Sequence, residues 1–407
     1  MKKNGTFFGL SKNVFFAGLV SFFMDVSSEM IYPLVPLFLA NVLGVNKSLI
    51  GLIEGIAEST ASLLKVFSGW FSDRLGQRKY LMAIGYGISS LSRPIMATAA
   101  TWHRVLSARF IDRVGKGIRT APRDAIIAES ADKARLGSAF SFHRSMDTMG
   151  AVVGPALALL LLRFFRSDYR TVFWLSLGPA IVAVLVILVF IREKGKPLPA
   201  SPERPRLTFK HFDWKVRFFM VITALFALGN SSDVFLILRA GQVGIPTAMI
   251  PAVYLMFNLV YSLSAVPAGI AADRFGRKRI ILVGFALFAV VYCGFARAGS
   301  TAAIWVLFGF YGLFMGLTEG VQKAFLASII PPDFKAFAFG VYATVVGLAM
   351  FPASLIGGWL WDRLSPSATF YFGAATAALA ALMFVVLITA SGKRSTGSLK
   401  RRGVMKG

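Results

Sequence analysis

A lone cysteine, Cys293, leaves no partner for an intrachain disulfide and no thiolate cluster for a metal. It is expected to pack as a small apolar side chain within a helix. The three histidines, His103, His143 and His211, stand far apart and form no metal-ligand pattern, so no metal site is expected. Charge is scarce as well: 15% of residues are Asp, Glu, Lys or Arg, against about a quarter in a soluble domain. Acids are scarcest of all, 19 against 44 Lys and Arg, for a formal net charge of +25. In a soluble chain that balance would point to nucleic acid. Here no basic-aromatic module lies outside the apolar stretches, so nucleic acid is not an expected partner. Gly115-Lys116-Gly117 lacks the Gly-x-x-x-x-Gly-Lys-Ser/Thr spacing of a phosphate loop, which argues against direct nucleotide drive and against any cofactor. No nucleophile, base and orienting group gather in one place, so an enzyme is not expected.

What the chain has in abundance is apolar length, with 56% hydrophobic residues and 38 Phe. A membrane span needs about 20 mostly apolar residues to cross roughly 30 Å of hydrocarbon. On that measure there are twelve spans: 13–39, 48–70, 80–100, 103–126, 138–162, 171–191, 216–239, 247–270, 280–299, 301–326, 338–361 and 367–390. Connections are short except for 192–215, where Lys194, Lys196, Arg204, Arg206 and Lys210 alternate with Pro197, Pro199, Pro202 and Pro205. Such a basic, Pro-rich tie suits a linker between two bundles. Lys2, Lys3 and Lys12 at the start and Lys393, Arg394, Lys400, Arg401 and Arg402 at the end match its charge. Under the positive-inside rule the linker and both termini are cytoplasmic. The opening Met1-Lys2-Lys3 is not read as a signal peptide, because no small-x-small cleavage site follows and the apolar run continues through Asp25. The expected organisation is a bundle over 1–191, a linker over 192–215, a second bundle over 216–391 and a basic tail over 392–407.

Between the second and third spans of each half lies a copy of one charged loop. The first is Gly69-Trp70-Phe71-Ser72-Asp73-Arg74-Leu75-Gly76-Gln77-Arg78-Lys79, and the second is Gly269-Ile270-Ala271-Ala272-Asp273-Arg274-Phe275-Gly276-Arg277-Lys278-Arg279. A repeat at that distance marks a duplicated membrane protein. Gly69 and Gly269 are expected to allow close helix contact, and Asp73 to pair with Arg74 or Arg78. The pattern Gly-x-x-x-Asp-Arg-x-Gly-x-Arg/Lys-Arg/Lys resembles the loop between helices 2 and 3 of the major facilitator superfamily. That resemblance covers essentially the whole chain. It implies an all-α membrane protein of twelve transmembrane helices in two pseudo-symmetric six-helix bundles around a central cavity. It also implies that Gly69, Asp73, Arg74, Gly76 and Arg78, with Gly269, Asp273, Arg274, Gly276 and Lys278, form cytoplasmic gating loops that latch the outward-open state.

Ionisable side chains inside a span are costly unless paired or hydrated, so each marks a cavity or a partner. The first half holds Asp25, Glu29, Glu54, Glu58, Lys65, Arg93, Arg109, Asp112, Arg113, Lys116, Arg119, Arg123, Asp124, His143, Arg144 and Asp147; the second holds Asp233, Glu319 and Lys323, with Arg239 near a span end. Arg109, Arg113, Lys116, Arg119 and Arg123 recur every three or four residues along the fourth span, a row no lipid-facing surface would tolerate. Either the row lines a watery interior, or it neutralises Asp25, Glu29, Glu58 and Asp147 as structural ion pairs. Asp25-Val26-Ser27-Ser28-Glu29 in the first span has a counterpart in Asn230-Ser231-Ser232-Asp233 of the seventh. Tyr32, Tyr254, Phe257, Tyr261 and Trp305 either face a cavity or pack.

Gly150, Gly154 and Pro155 resemble the Gly-x-x-x-Gly-Pro core of the superfamily's fifth-helix antiporter motif, though Ala158 and Leu159 replace its usual Gly-Gly ending. By the same resemblance, Arg109 or Arg113 takes the helix-4 role tied to proton coupling. The expected function is secondary active transport of a small solute, as proton-coupled export by alternating access. Protons would bind Asp25, Glu29, Glu58 and Asp147, with Asp233 and Glu319 facing them, while Arg109, Arg113, Arg119 and Arg144 tune those acids or hold an anion. The alternatives are an organic anion or metal chelate carried on the Arg-rich fourth span and, more remotely, a non-transporting sensor. The expected setting is a monomer, multi-pass, in the inner membrane of a prokaryote, with a small solute and the bilayer as its partners.

Overall fold

The computed structural model describes residues 6–7, 10–75, 78–131, 136–165, 168–193, 212–330 and 335–403, with side chains described except at 6–7, 10, 65–75, 136–138, 335–337 and 391–403. Gly76 and most of the linker lie outside the described residues, and Lys65, Gly69, Asp73 and Arg74 lie outside the described side chains. Twelve helical stretches follow in order: α1 Lys12–Val42, α2 Lys47–Leu75, α3 Arg78–Ala97, α4 Trp102–Ser130, α5 Leu136–Phe164, α6 Tyr169–Phe190, α7 Trp214–Gln242, α8 Ile250–Phe275, α9 Arg277–Arg297, α10 Thr301–Ile329, α11 Lys335–Arg363 and α12 Pro366–Gly403. A two-residue pairing, Thr6–Phe7 with Leu10–Ser11, precedes α1. The last helix runs on past the expected span end at residue 390, to Gly403.

Among the described residues, nine of the twelve are long and apolar enough to cross a bilayer. The other three are α2, α3 and α4, which have the length (29, 20 and 29 residues) but carry the ionic row and its partners. They pack on one another, α2 on α4 and α3 on α4, so their charges turn inward. Apolar side chains such as Leu185, Leu188 and Val189 on α6 and Leu379, Leu382 and Val386 on α12 are exposed instead, as a lipid-facing surface requires.

The duplication extends to packing. In the first half α1 lies on α5 and α6, α4 on α2 and α3, and α3 on α6; in the second, α7 lies on α11 and α12, α10 on α8 and α9, and α9 on α12. Adding six to each helix number converts one set into the other. The two long seams between the halves, α2 with α11 and α5 with α8, are related by the same operation. Turns repeat as well: Gly44 after α1 and Gly244 after α7 both hold positive φ, 64° and 105°.

Two helices are interrupted. In α1 the regular helix stops at Ile31, just before Pro33, and resumes as Val35–Leu37 with a π turn at Phe38–Val42, because proline cannot donate the backbone bond a continuing helix needs. In α7 the gap falls between Gly229 and Val234, on the Asn230-Ser231-Ser232-Asp233 stretch itself. Side chains of this type compete with the helix for backbone hydrogen bonds. The two polar stretches therefore differ: Asp25 to Glu29 is helical, and its counterpart is unwound.

Candidate functional site

The ends of the bundle define two faces. Asn13, Ser130 and Arg192 meet on the terminal face, through Asn13 Nδ2 donating to Ser130 Oγ (3.0 Å) and to the Arg192 carbonyl (2.7 Å). The α1–α2 and α7–α8 turns lie on the opposite, hairpin face. That face is sealed. Asp362, near the end of α11, accepts from the backbone N–H of Ser48 (2.6 Å), the Ser48 hydroxyl (2.7 Å) and the backbone N–H of Lys47 (3.2 Å). A carboxylate of one half thus caps a helix N-terminus of the other, where the first-turn N–H groups and the helix dipole favour an anion. Behind the cap, Gly51 lies against the Ser354 carbonyl and Gly358 against that of Lys47, and the Ser59 hydroxyl donates to the Gly347 carbonyl (3.0 Å). Tyr32 and Tyr254 meet across the halves with ring centroids 5.5 Å apart.

Between α2 and α4 stands an ion-pair ladder. Glu54 pairs with Arg109, and Glu58 with Arg113 at 2.9 Å. Spacing of four residues on both helices puts each acid opposite one base. Arg93, 1% exposed, pairs with Asp112 at 3.4 Å and donates to Ser27 Oγ (2.9 Å), Ser28 Oγ (3.0 Å) and Ser92 Oγ (2.9 Å). Arg119 stacks on the Tyr86 ring, 4.4 Å from its centroid. Arg109, Arg113 and Arg119 of the row are buried within the first half. Arg109 pairs with Glu54, Arg113 with Glu58 and Arg123 with Asp124; of the two readings of the row, the ion-pair one holds for Glu58, while among the described residues no ion pair joins the row to Asp25, Glu29 or Asp147. Helical phase explains this. Ser27 and Ser28 face α3 and its Arg93, while Asp25 and Glu29, one turn apart, face α5.

On that second face the fifth-helix glycines meet the two acids one for one. A Cβ on Gly150 would lie 2.7 Å from Asp25 Cβ, and one on Gly154 would lie 2.8 Å from Glu29 Cβ. Any larger residue would hold α5 away from the carboxylates. Among the described residues neither Asp25 nor Glu29 makes an ion pair, and Glu29 Oε2 is buried without a hydrogen-bond partner. Asp147 sits beside His143, with 3.6 Å between Oδ2 and Nδ1.

The second half answers with two acids. Asp233 accepts from the Tyr311 hydroxyl at 2.7 Å. Glu319 accepts from the Tyr261 hydroxyl and pairs with Lys323 at 3.1 Å. Arg144 of α5 reaches across, donating to Tyr261 Oη at 2.8 Å and lying 3.8 Å from Glu319. Tyr254, Phe257 and Tyr311 are buried and stacked, so the aromatic residues serve packing here, apart from the two hydroxyls that hold carboxylates.

At the gating loops Arg78 pairs with Glu129, while Glu193 accepts from the backbone N–H groups of Arg78 (2.7 Å) and Lys79 (3.2 Å). Asp273 pairs with Arg277 at 3.1 Å, and Arg274 lies over the Phe275 ring. Gly276 ends α8 and begins α9 with φ of 96°, a conformation that favours glycine. The close contact expected at Gly269 is not made: a Cβ there would meet no heavy atom within 4 Å. Lys278 lies beyond Gly276 in the first turn of α9. Arg239 completes the picture by donating to the Phe295 (3.0 Å) and Ala298 (2.9 Å) carbonyls at the end of α9.

Away from this polar seam, a groove of about 590 Å³ opens on the outer flank of the second half, lined by Ala289, Val290, Cys293, Arg297, Tyr371 and Ala374 among others. It holds one charged side chain. The chemistry resides in the seam, where the titratable groups converge. Of the groups that matter there, Glu54, Arg93, Asp112 and His143 are visible in the sequence only as intramembrane ionisables, and Tyr311 carries no sequence signal.

Two six-helix sets repeating one packing pattern, joined at one face and ionic within, define a two-bundle membrane protein of the transporter type. The sequence matches the family model described as Major Facilitator Superfamily over residues 17–238 and 218–406, and the chain belongs to that superfamily. It is 36% identical to an uncharacterised MFS-type transporter of Methanocaldococcus jannaschii over 93% of this chain and 95% of the other. It is 22% identical to a multi-drug resistance efflux pump homologue of Lactococcus lactis over 89% and 92% of the two chains. Among solved structures, a nucleoside transporter superposes with a TM-score of 0.76 at 12% identity, over 92% of this chain and 99% of that one. The protein is thus a multi-pass membrane protein of a transporter family, not an enzyme.

Proposed function

We propose that this protein is a proton-coupled exporter of a small solute, working as a monomer by alternating access. The unit would be two bundles, residues 1–191 and 216–391, joined by the 192–215 linker and followed by the 392–407 tail. The positive-inside rule puts the terminal face, with both ends and the linker, in the cytoplasm of a prokaryote. The sealed hairpin face then looks outward, and the conformation is one that faces the cytoplasm. The open surroundings of Gly269 agree, since a latch that holds the outward-open state is released in the opposite state.

One observation carries the reading: Asp25 and Glu29 stand without an ionic partner among the described residues, while Gly150 and Gly154 bring α5 against them. A buried carboxylate without a cation exchanges a proton at far lower cost than one locked in a salt bridge, so these acids, with Asp147 and Asp233, are the proton-binding set. Glu58–Arg113 and Glu319–Arg144 would be the pairs whose making and breaking bias the two states. The Lactococcus relative, named as an efflux pump, favours export. The anion reading loses part of its support, because three of the five cations in the α4 row are paired within the first half, Arg109 with Glu54, Arg113 with Glu58 and Arg123 with Asp124.

The test is accumulation of a compound panel in inverted membrane vesicles, with and without a protonophore. At least one compound is expected to accumulate only while the proton gradient lasts. Asp25→Asn and Glu58→Gln are expected to abolish that uptake at unchanged membrane yield, and Gly150→Val to reduce it roughly tenfold by displacing α5. Full activity in both carboxylate variants sinks the assignment.

A further inference from the structure

The proton-binding acids need a route to the terminal face, and the α1–α5 seam contains groups for one that the scheme above leaves unused. Ser21, one turn before Asp25 on α1, lies 2.7 Å from His143 Nε2, one turn before Asp147 on α5. The order along the seam is therefore Glu29, Asp25, Asp147, His143 and Ser21. From Ser21 to Glu29 it spans eight helical steps of α1, about 12 Å at the rise of a helix. His143 is 4% exposed, yet it is neither packed purely among apolar groups nor fixed in a strong ion pair. Its surroundings are Ser21 on α1, Tyr86 on α3, Arg123 and Asp124 on α4, and Arg144 and Asp147 on its own helix.

The hydrogen-bond network sets the tautomer. Arg123 Nη1 donates to Ser21 Oγ at 3.3 Å, and the Tyr86 hydroxyl, 3.4 Å away, is placed to do the same. With both lone pairs of Ser21 occupied, its own proton points at His143 Nε2. The imidazole hydrogen then sits on Nδ1 and faces Asp147 Oδ2, and the second Asp147 oxygen, Oδ1, is buried with no partner. Asp124, paired with Arg123 at 2.9 Å and 42% exposed, lies on the outer side of this cluster.

We propose that His143 is the proton relay of this transporter, passing the coupling proton between the terminal face and Asp25 through Asp147. The inference rests on the proton-coupled reading above and names the route that reading leaves open. A proton bound at Nε2 from the Ser21 side is matched by release of the Nδ1 proton to the Asp147 carboxylate, which becomes a carboxylic acid. The Ser21 O–H bond breaks as the Nε2–H bond forms, and a hydronium ion on the terminal-face side restores the Ser21 proton as the long Tyr86 contact (3.4 Å) opens; the Nδ1–H bond breaks as the Asp147 O–H bond forms, so the ring keeps no net charge. Asp147 then hands the proton to Asp25. The route does not pass through the α2–α4 pairs: Glu54 is held by Arg109, and Glu58–Arg113 answers to the state of the bundle rather than carrying the proton.

Two measurements test this without knowledge of the solute. In a Cys293→Ser background, spin labels at exposed Val42 and Met249, on the hairpin face of opposite halves, report the distance across the seal in nanodiscs. The wild-type distribution is expected to change between about pH 5.5 and about pH 8. His143→Gln should move the midpoint by about one pH unit or abolish the response, and Ser21→Ala should move it less. His103→Gln, which alters a histidine stacked on Trp102 far along α4, should track wild type. A responding wild type with His143→Gln superimposed on it overturns the relay alone. A wild type indifferent to pH overturns the proton-coupled reading and the relay together. Independently, the imidazole nitrogens of a protein with only three histidines are resolvable by ¹⁵N NMR, His143 being assigned from the signal lost in His143→Gln. The neutral ring is expected to carry its hydrogen on Nδ1 and to change its titration in Asp147→Asn. An Nε2–H ring, or one indifferent to Asp147, refutes the proposal even where the variants fail to fold.

Discussion

The two halves share one packing plan and differ in what fills it. In the first, α2, α3 and α4 are joined by Glu54–Arg109, Glu58–Arg113 and Arg93–Asp112. In the second, the matching helices α8, α9 and α10 are joined largely by rings: Phe257 of α8, Phe288 and Tyr292 of α9, and Tyr311 and Phe314 of α10 meet at centroid distances between 3.9 and 6.4 Å. The same arrangement of six helices thus forms around charge or around aromatic surface. What the ionic half adds is states that can be switched. A stacked ring pair contributes about 0.5–1.5 kcal/mol beyond its area and has no second protonation form, whereas a buried ion pair gains little net stability but can be made and unmade by one proton.

That contrast breaks most sharply at its strongest pair. Glu54→Gln leaves the Arg109 guanidinium buried opposite a neutral amide and should cost about 4 kcal/mol, read as a fall in the melting temperature in detergent. The double variant Glu54→Leu with Arg109→Leu should recover most of that loss. If it does not, the pair is not an isolated ionic unit. In the aromatic half Phe288→Ala should cost about 3 kcal/mol, through the cavity it leaves, and no single partner change should restore it.

The two inter-half seams offer a smaller effect. Asp362→Ala removes the cap on α2 and should weaken the closed hairpin face by about 1 kcal/mol, a shift of about fivefold toward its open form. The Val42–Met249 label distance would show this as a larger open fraction, and an unchanged fraction means the glycine contacts seal the face by themselves. Smallest is Asp168, the exposed cap of α6, whose carboxyl the Thr171 hydroxyl and the Arg170 and Thr171 backbone N–H groups hold below the usual range. A carboxyl depressed on folding stabilises at pH above its unfolded value and loses that contribution as pH falls through the lower folded value. Asp168→Ala should therefore cost about 1 kcal/mol at neutral pH and nothing in strong acid. Equal costs at both pH values would show that the charge is irrelevant.

Much of this was legible in the residues. The paired Asp73 and Asp273 loops carried the duplication, and apolar length alone marked all twelve spans, α2, α3 and α4 included, although these three are the most polar of the set. The intramembrane acids were visible as well. Their partners were not, because pairing depends on the rotation of one helix against another. Arg113 opposite Glu58 follows once the α2–α4 register is known, and Arg119 over Tyr86 likewise requires that of α3 and α4. The unwinding of Asn230 to Asp233 is a second instance: the sequence likeness to Asp25–Glu29 hides the neighbouring Gly229, and the helix ends there.

The polarity of α2, α3 and α4 bears on how the protein is made. Glu54 and Glu58 on α2 find their cations only on α4, so each of these helices carries uncompensated charge in the membrane until the other is in place. Loss of one partner is then felt during assembly of the first half as well as in the finished transporter.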